Sequence, residues 1–102
     1  MRSLCVAIFA ASVAFSVSAS QEMVARQGND EVRIYDKKCE TASVLRHIPE
    51  ASRAMFRKAM ATIGGKRWYA CYVVVQGGVM LVYEDGDQGF VPGGDFKEPN
   101  NV

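Results

Sequence analysis

Apolar and polar residues alternate from Glu31 to Lys37: Val32, Ile34 and Asp36 face one way, Arg33, Tyr35 and Lys37 the other. A period of two predicts a half-buried strand, and Cys39 follows at its exit. Thr41 to Ile48 is compatible with one or two helical turns. The period then changes. Pro49 suits a first helical position, where its missing N–H would be unpaired in any case, and Glu50 favours the positive end of a helix dipole. At about 100° per residue, Ala51, Met55, Phe56, Ala59, Met60 and Ile63 share one half of the circumference. Glu50, Arg53, Arg57 and Lys58 take the other. Gly64-Gly65 ends the pattern, because glycine accepts the left-handed backbone of a helix C-terminus. The expectation is an amphipathic helix with a basic outer face.

Lys66 to Val75 is dense in aromatic and β-branched residues and reads as a strand. Trp68, Ala70, Tyr72 and Val74 point to one side, and Tyr69, Cys71, Val73 and Val75 to the other. Gln76-Gly77-Gly78 predicts a turn into a second strand, Val79 to Tyr83, completing a hairpin. Glu84-Asp85-Gly86-Asp87 is a further turn, Gln88 to Val91 a short third strand, and Pro92-Gly93-Gly94 its end. Residues 20–30 show no periodicity and read as a flexible N-terminus, with 97–102 as a flexible tail and Phe96 tucked back. The fold class expected is α+β: one amphipathic helix on a small antiparallel sheet, made of the N-terminal strand and a two- or three-stranded meander. Residues 31–96 form the single domain.

The N-terminus changes this picture. Arg2 precedes an uncharged apolar run from Leu4 to Phe15, and Val17-Ser18-Ala19 offers the small residues of a cleavage site. That is the layout of a secretory signal peptide over residues 1–19. The run is too short for a spanning helix, which needs roughly 20 apolar residues. Cys5 precedes the run and is badly placed for lipidation. Cleavage would remove Cys5 and leave Cys39 and Cys71 in an oxidising compartment, periplasmic or extracellular. A disulfide between them closes a loop of about thirty residues, worth roughly 3–4 kcal/mol. The alternatives are free buried thiols, a redox pair or a zinc site. Redox pairs usually stand as C-x-x-C, and zinc needs further ligands whereas His47 is the only histidine.

Charge narrows the partners. Without the leader, Lys and Arg balance Asp and Glu. A general nucleic-acid binder needs a surplus of cations, so nucleic acid is not expected. The balance is uneven along the chain. Arg46, Arg53, Arg57, Lys58, Lys66 and Arg67 face Glu50 alone, and Glu84, Asp85, Asp87, Asp95 and Glu98 face Lys97 alone. Asp85-Gly86-Asp87-Gln88-Gly89 has a superficial likeness to a calcium loop, but Gly89 stands where a third oxygen ligand belongs. A hairpin turn is the expected reading. No cofactor or metal is implied, and His47 has no partner at catalytic spacing.

The candidate interaction surface comprises Arg53, Arg57 and Lys58 from the basic helix face and Tyr69 and Tyr83 from the sheet. Exposed aromatics often mark binding sites. Trp68 and Tyr72 are expected in the core beneath Met55, Phe56 and Met60. Ile34-Tyr35-Asp36-Lys37-Lys38-Cys39, Trp68-Tyr69-Ala70-Cys71-Tyr72 and Val79 to Gly86 together resemble a pattern of small exported proteins of unassigned function from proteobacteria and their prophages. The resemblance implies export, two paired cysteines and a small α+β domain, and it carries over no catalytic residue. The function expected is a secreted or periplasmic non-enzymatic binding protein, an inhibitor or envelope-interaction module, whose partner is a protein or envelope component. The alternatives are a structural subunit of an envelope or phage-related assembly, or a small hydrolase using Asp36, Glu40 or Glu84.

Overall fold

The computed structural model describes residues 22–101; residues 1–21, which hold the expected leader and Cys5, and residue 102 lie outside them. The elements are β1 (Glu22–Gln27), β2 (Asp30–Lys38), a one-turn helix α1 (Ala42–Leu45), a 3-10 helix at Glu50–Met55, β3 (Arg57–Ile63), β4 (Lys66–Val75), β5 (Gly78–Tyr83), β6 (Gln88–Pro92), a 3-10 turn at Gly93–Asp95, β7 (Phe96–Lys97) and a last 3-10 turn at Pro99–Asn101. All seven strands join one sheet in the order β6-β5-β4-β3-β2-β1-β7, every pair antiparallel. β6 and β7 occupy opposite edges although only Gly93–Asp95 separates them. So short a link reaches roughly 13 Å, so the edges must approach and the sheet curls into a half-barrel. Gly93–Asp95 touches both β1 and β5 and straps the curl.

The α+β expectation is overturned. The segment expected to be one helix is a 3-10 helix followed by a strand. Phe56 turns the chain into extended backbone, with φ −91° and ψ 143°. From there the period is two: Ala59 and Ala61 are buried, whereas Lys58, Met60 and Thr62 stand on the other face. Alanine, methionine, arginine and lysine favour helix locally, but β3 lies between β2 and β4 and completes the ladders of both. Tertiary pairing outweighs a propensity of roughly a few tenths of a kcal/mol per residue. Met55, expected in the core, is 62% exposed. The basic helix face therefore does not exist.

Both ends of the domain are also more ordered in pairing than expected. Glu22–Gln27, read as flexible, is β1, paired along its length with β2 from Glu22↔Tyr35 to Gln27↔Asp30. Phe96 and Lys97 pair with Ala25 and Val24 as β7. The tail beyond them packs on β1, and Val24 is 0% exposed.

Strand alternation gives two hydrophobic clusters, one on each face. The inner one gathers Ala59, Ala70, Tyr72, Val79 and Leu81, with Val32, Ile34, Tyr83, Val91 and Phe96 around it. Ala59, Ala61 and Ala70 are small where the curl is filled by larger side chains, and the Tyr72 hydroxyl donates to the Tyr35 carbonyl at 3.0 Å. The outer one gathers Cys39, Val44, Ile48, Phe56, Cys71 and Val82. It is the underside of the excursion between β2 and β3, which lies across β4 and β5. Cys39 and Cys71 form the expected disulfide, with Cα atoms 5.7 Å apart and 32 positions separating them in sequence. The disulfide pins the start of this excursion to β4.

Candidate functional site

The turns between β1 and β2, β3 and β4, and β5 and β6 lie at one end of the sheet, because successive strands run antiparallel. At that end Ile63, Trp68, Tyr83, Asp85 and Asp87 line an open cleft of about 190 Å³. Trp68 pairs with Ala61, and Tyr83 with Ala70, so each ring stands on the inner face beside a small neighbour. Gly89 makes room for the phenol: a Cβ there would sit 3.4 Å from the Tyr83 ring. Ile63 is an exposed apolar side chain at the lip. It also borders a second cleft, lined by Ala25, Val32, Val91, Asp30 and Asp95 among others.

The acidic rim comes from the β5–β6 turn. Asp85 Oδ1 accepts the Asp87 N–H at 2.9 Å, and Asp87 Oδ1 accepts the Gln88 N–H at 3.0 Å. The Tyr83 N–H donates to the Asp87 carbonyl at 2.8 Å, the Gly86 N–H donates to the Tyr83 carbonyl at 2.9 Å, and Gly86 has φ 88°. This is a hairpin turn, and the side chains hold their own backbone. One oxygen of each carboxylate is thus spent on the turn and the other is not. Neither carboxylate is ion-paired among the described residues. The Tyr83 phenol is held above the ordinary tyrosine range, first by burial and then by the nearby negative charges of Asp87 and Asp85.

A cation already sits at this end. Lys66 Nζ lies 4.3 Å from the centre of the Trp68 ring. Lys66 pairs with Ile63 and shares the inner-face parity of Trp68. His47 buttresses the rim from the excursion. Its Nε2 lies 3.2 Å from the Glu84 carbonyl oxygen, which can only accept, so Nε2 carries the proton and donates. A Cβ at Gly86 would meet the His47 ring at 3.1 Å. The histidine thus has a structural contact with the turn.

The five residues expected to form an interaction surface are dispersed. Arg53 donates from Nε to the Ile48 carbonyl at 2.9 Å and stays within the excursion. Arg57 is ion-paired with Asp36 at 2.6 Å, at the opposite end of the sheet from the acidic rim. Lys58 lies on the outer face, 5.0 Å from the Tyr35 ring centre. Tyr69 is 52% exposed on the outer face. Its N–H donates to Glu84 Oε1 at 2.7 Å. Only Tyr83 lines the cleft. The hydrolase carboxylates do not converge either: Asp36 is paired with Arg57, Glu84 closes the Tyr69 edge at the other end, and Glu40 is exposed beyond Cys39.

Trp68, expected beneath the helix with Tyr72, is half-buried at the cleft, while Tyr72 is buried in the inner cluster. Asp85, Asp87 and Ile63 were not expected at a site. Their signal was the hairpin itself, because a tight turn carries its side chains next to the residue that enters it. Among the described residues no group of three or more His, Cys, Asp or Glu is arranged to hold a metal ion. No described helix is long and apolar enough to cross a membrane. Comparison with known protein families, with curated proteins and with solved structures gave no match to the chain.

Proposed function

We propose that this chain is a small exported, non-enzymatic binding protein that holds its partner at the Trp68–Tyr83 cleft. The observation that carries the reading is the cleft's composition. Two aromatic rings and an exposed isoleucine form its walls, and two carboxylates that make no ion pair among the described residues form its rim. Exposing this combination costs stability unless something covers it, and aromatic side chains in pockets are where binding energy concentrates. The volume is below the roughly 300–1,000 Å³ of sites that enclose a whole small ligand. It therefore suits one projecting group of a larger partner. Export rests on the apolar leader with its small-residue cleavage site and on the disulfide, which persists in oxidising compartments.

The test uses the oxidised chain lacking residues 1–19, immobilised against envelope and culture fractions of the source cell. A stoichiometric partner is expected, lost with Trp68→Ala and with the pair Asp85→Asn and Asp87→Asn. Asparagine keeps the side-chain carbonyl that the turn uses and removes only the charge, so the double variant tests the rim in a folded domain. Retention of the partner by both variants sinks the cleft as the binding site. Turnover of a hydrolase substrate, abolished by Asp36→Asn or Glu84→Gln, would replace the binding role altogether.

A further inference from the structure

We infer that the group this cleft receives is the ammonium of a lysine side chain on a protein partner, a reading that rests on the binding role proposed above. Three observations converge on a cation. Asp85 and Asp87 bring two negative charges to the rim, and neither forms an ion pair among the described residues. Trp68 and Tyr83 line the walls, and the negative faces of aromatic rings attract positive charge. The chain's own Lys66 already places its ammonium 4.3 Å from the Trp68 ring centre, so that ring is accessible to a cation on an alkyl stem.

The size of the cleft and the sign of its rim then choose among cations. A cavity of about 190 Å³ that is open to solvent admits one long side chain, with its methylenes against Ile63 and Trp68 and its head at the carboxylates. A zwitterionic lipid headgroup would carry its phosphate toward Asp85 and Asp87, and that repulsion disfavours it. Arginine is a worse fit because one oxygen of each carboxylate is committed to the turn. A guanidinium recognises a carboxylate best when both oxygens are free for two parallel bonds. An ammonium, a point charge with three donors, needs only one oxygen from each. Lys66 acts as an internal competitor for the same aromatic face and the same field.

The experiment is a titration of the oxidised, folded protein with a capped peptide containing one lysine, followed through the Trp68 indole and the backbone amides of residues 84–88 by NMR. Saturable shifts at both places are expected, weakening as salt shortens the Debye length from about 30 Å at 0.01 M to about 10 Å at 0.1 M. The same peptide acetylated on the lysine nitrogen should leave them unmoved. Trp68→Ala should weaken binding by roughly twofold to thirtyfold, the span of a single cation–ring contact. Asp85→Asn with Asp87→Asn should weaken it in a protein whose other amide signals are unchanged, and Lys66→Ala should strengthen it. Equal binding of the acetylated peptide, loss of affinity on Lys66→Ala, or indifference to the double asparagine variant would overturn the inference. So would preference for phosphocholine. If the lysine peptide fails while partner capture still depends on Trp68, only the ligand assignment falls; if capture does not depend on the cleft, the binding role falls with it.

Discussion

Tyr72 and Tyr83 stand on the same inner face and are both held above the ordinary tyrosine range, in each case chiefly by burial. Around Tyr72 the secondary influences oppose each other, Arg57 lowering and Asp36 raising; around Tyr83 both Asp87 and Asp85 raise. In the unfolded chain these phenols release their protons first, near pH ~10. The folded state then binds more protons than the unfolded state, so stability falls as pH rises. The stabilisation is fully present below that pH and is lost through the folded-state titration. Urea midpoints are expected to be flat from neutral pH to about 9 and to fall steeply beyond 10. Tyr72→Phe should be less stable at neutral pH through the lost bond to the Tyr35 carbonyl, yet show a shallower alkaline decline. An unchanged decline would remove Tyr72 from the explanation. At this scale the sequence was partly legible. Alternation placed Trp68 and Tyr72 on one face correctly, but which of them is covered depends on where the sheet curls, and no local pattern encodes that.

β3 is the element at which local and global preferences part. Ala59, Ala61 and Ile63 satisfy a period of two, and Ala59, Met60 and Ile63 satisfy one of 3.6, because alanine and methionine fit either surface. The strand wins because β2 and β4 both need a partner, and that need lies outside the segment itself. The β4–β5 hairpin was legible because valine and aromatic residues match a pleated surface and glycines mark its turn. β1 was not, since Gly28 with φ 62° provides its turn within a stretch of low hydrophobicity. The disulfide-bonded excursion is the other decisive element. Its cluster of Val44, Ile48 and Phe56 covers Cys71 and Val82. Cys39→Ala with Cys71→Ala should cost roughly 3–4 kcal/mol, read as a large fall in the thermal midpoint. Reductant should reproduce the fall in the parent protein and do nothing further to the variant. A variant as stable as the parent would show that the excursion holds by packing alone.

At the scale of the molecule, the sheet is a meander in which β1 to β6 pair with their sequence neighbours, and among the described strands only β7 breaks the rule by crossing to β1. The exposed Phe90 and Val75 lie toward the β6 side, and the strap at Gly93–Asp95 leads from that side to the other. Pro92 at the end of β6 lacks an N–H to offer a further strand, which blunts one edge. Phe96 carries the closure, pairing with Ala25 and packing on the inner cluster. Phe96→Ala should cost about 1–3 kcal/mol, less than the ~3–5 of a fully buried phenylalanine.

That topology also sets an order of events. Hairpins between neighbouring strands close small loops and can form early. The β1–β7 pairing joins the two ends of the described chain, so its loop-closure entropy is recovered only after the rest of the meander is in place. The rate of folding should therefore be set by the β3–β4–β5 hairpins, and the rate of unfolding by the strap. Phe96→Ala is expected to speed unfolding while leaving the refolding arm of the chevron unchanged, a φ-value near zero. The half-barrel therefore stays open until β7 docks on β1, and the same two-residue strand that finishes folding is the first to let go.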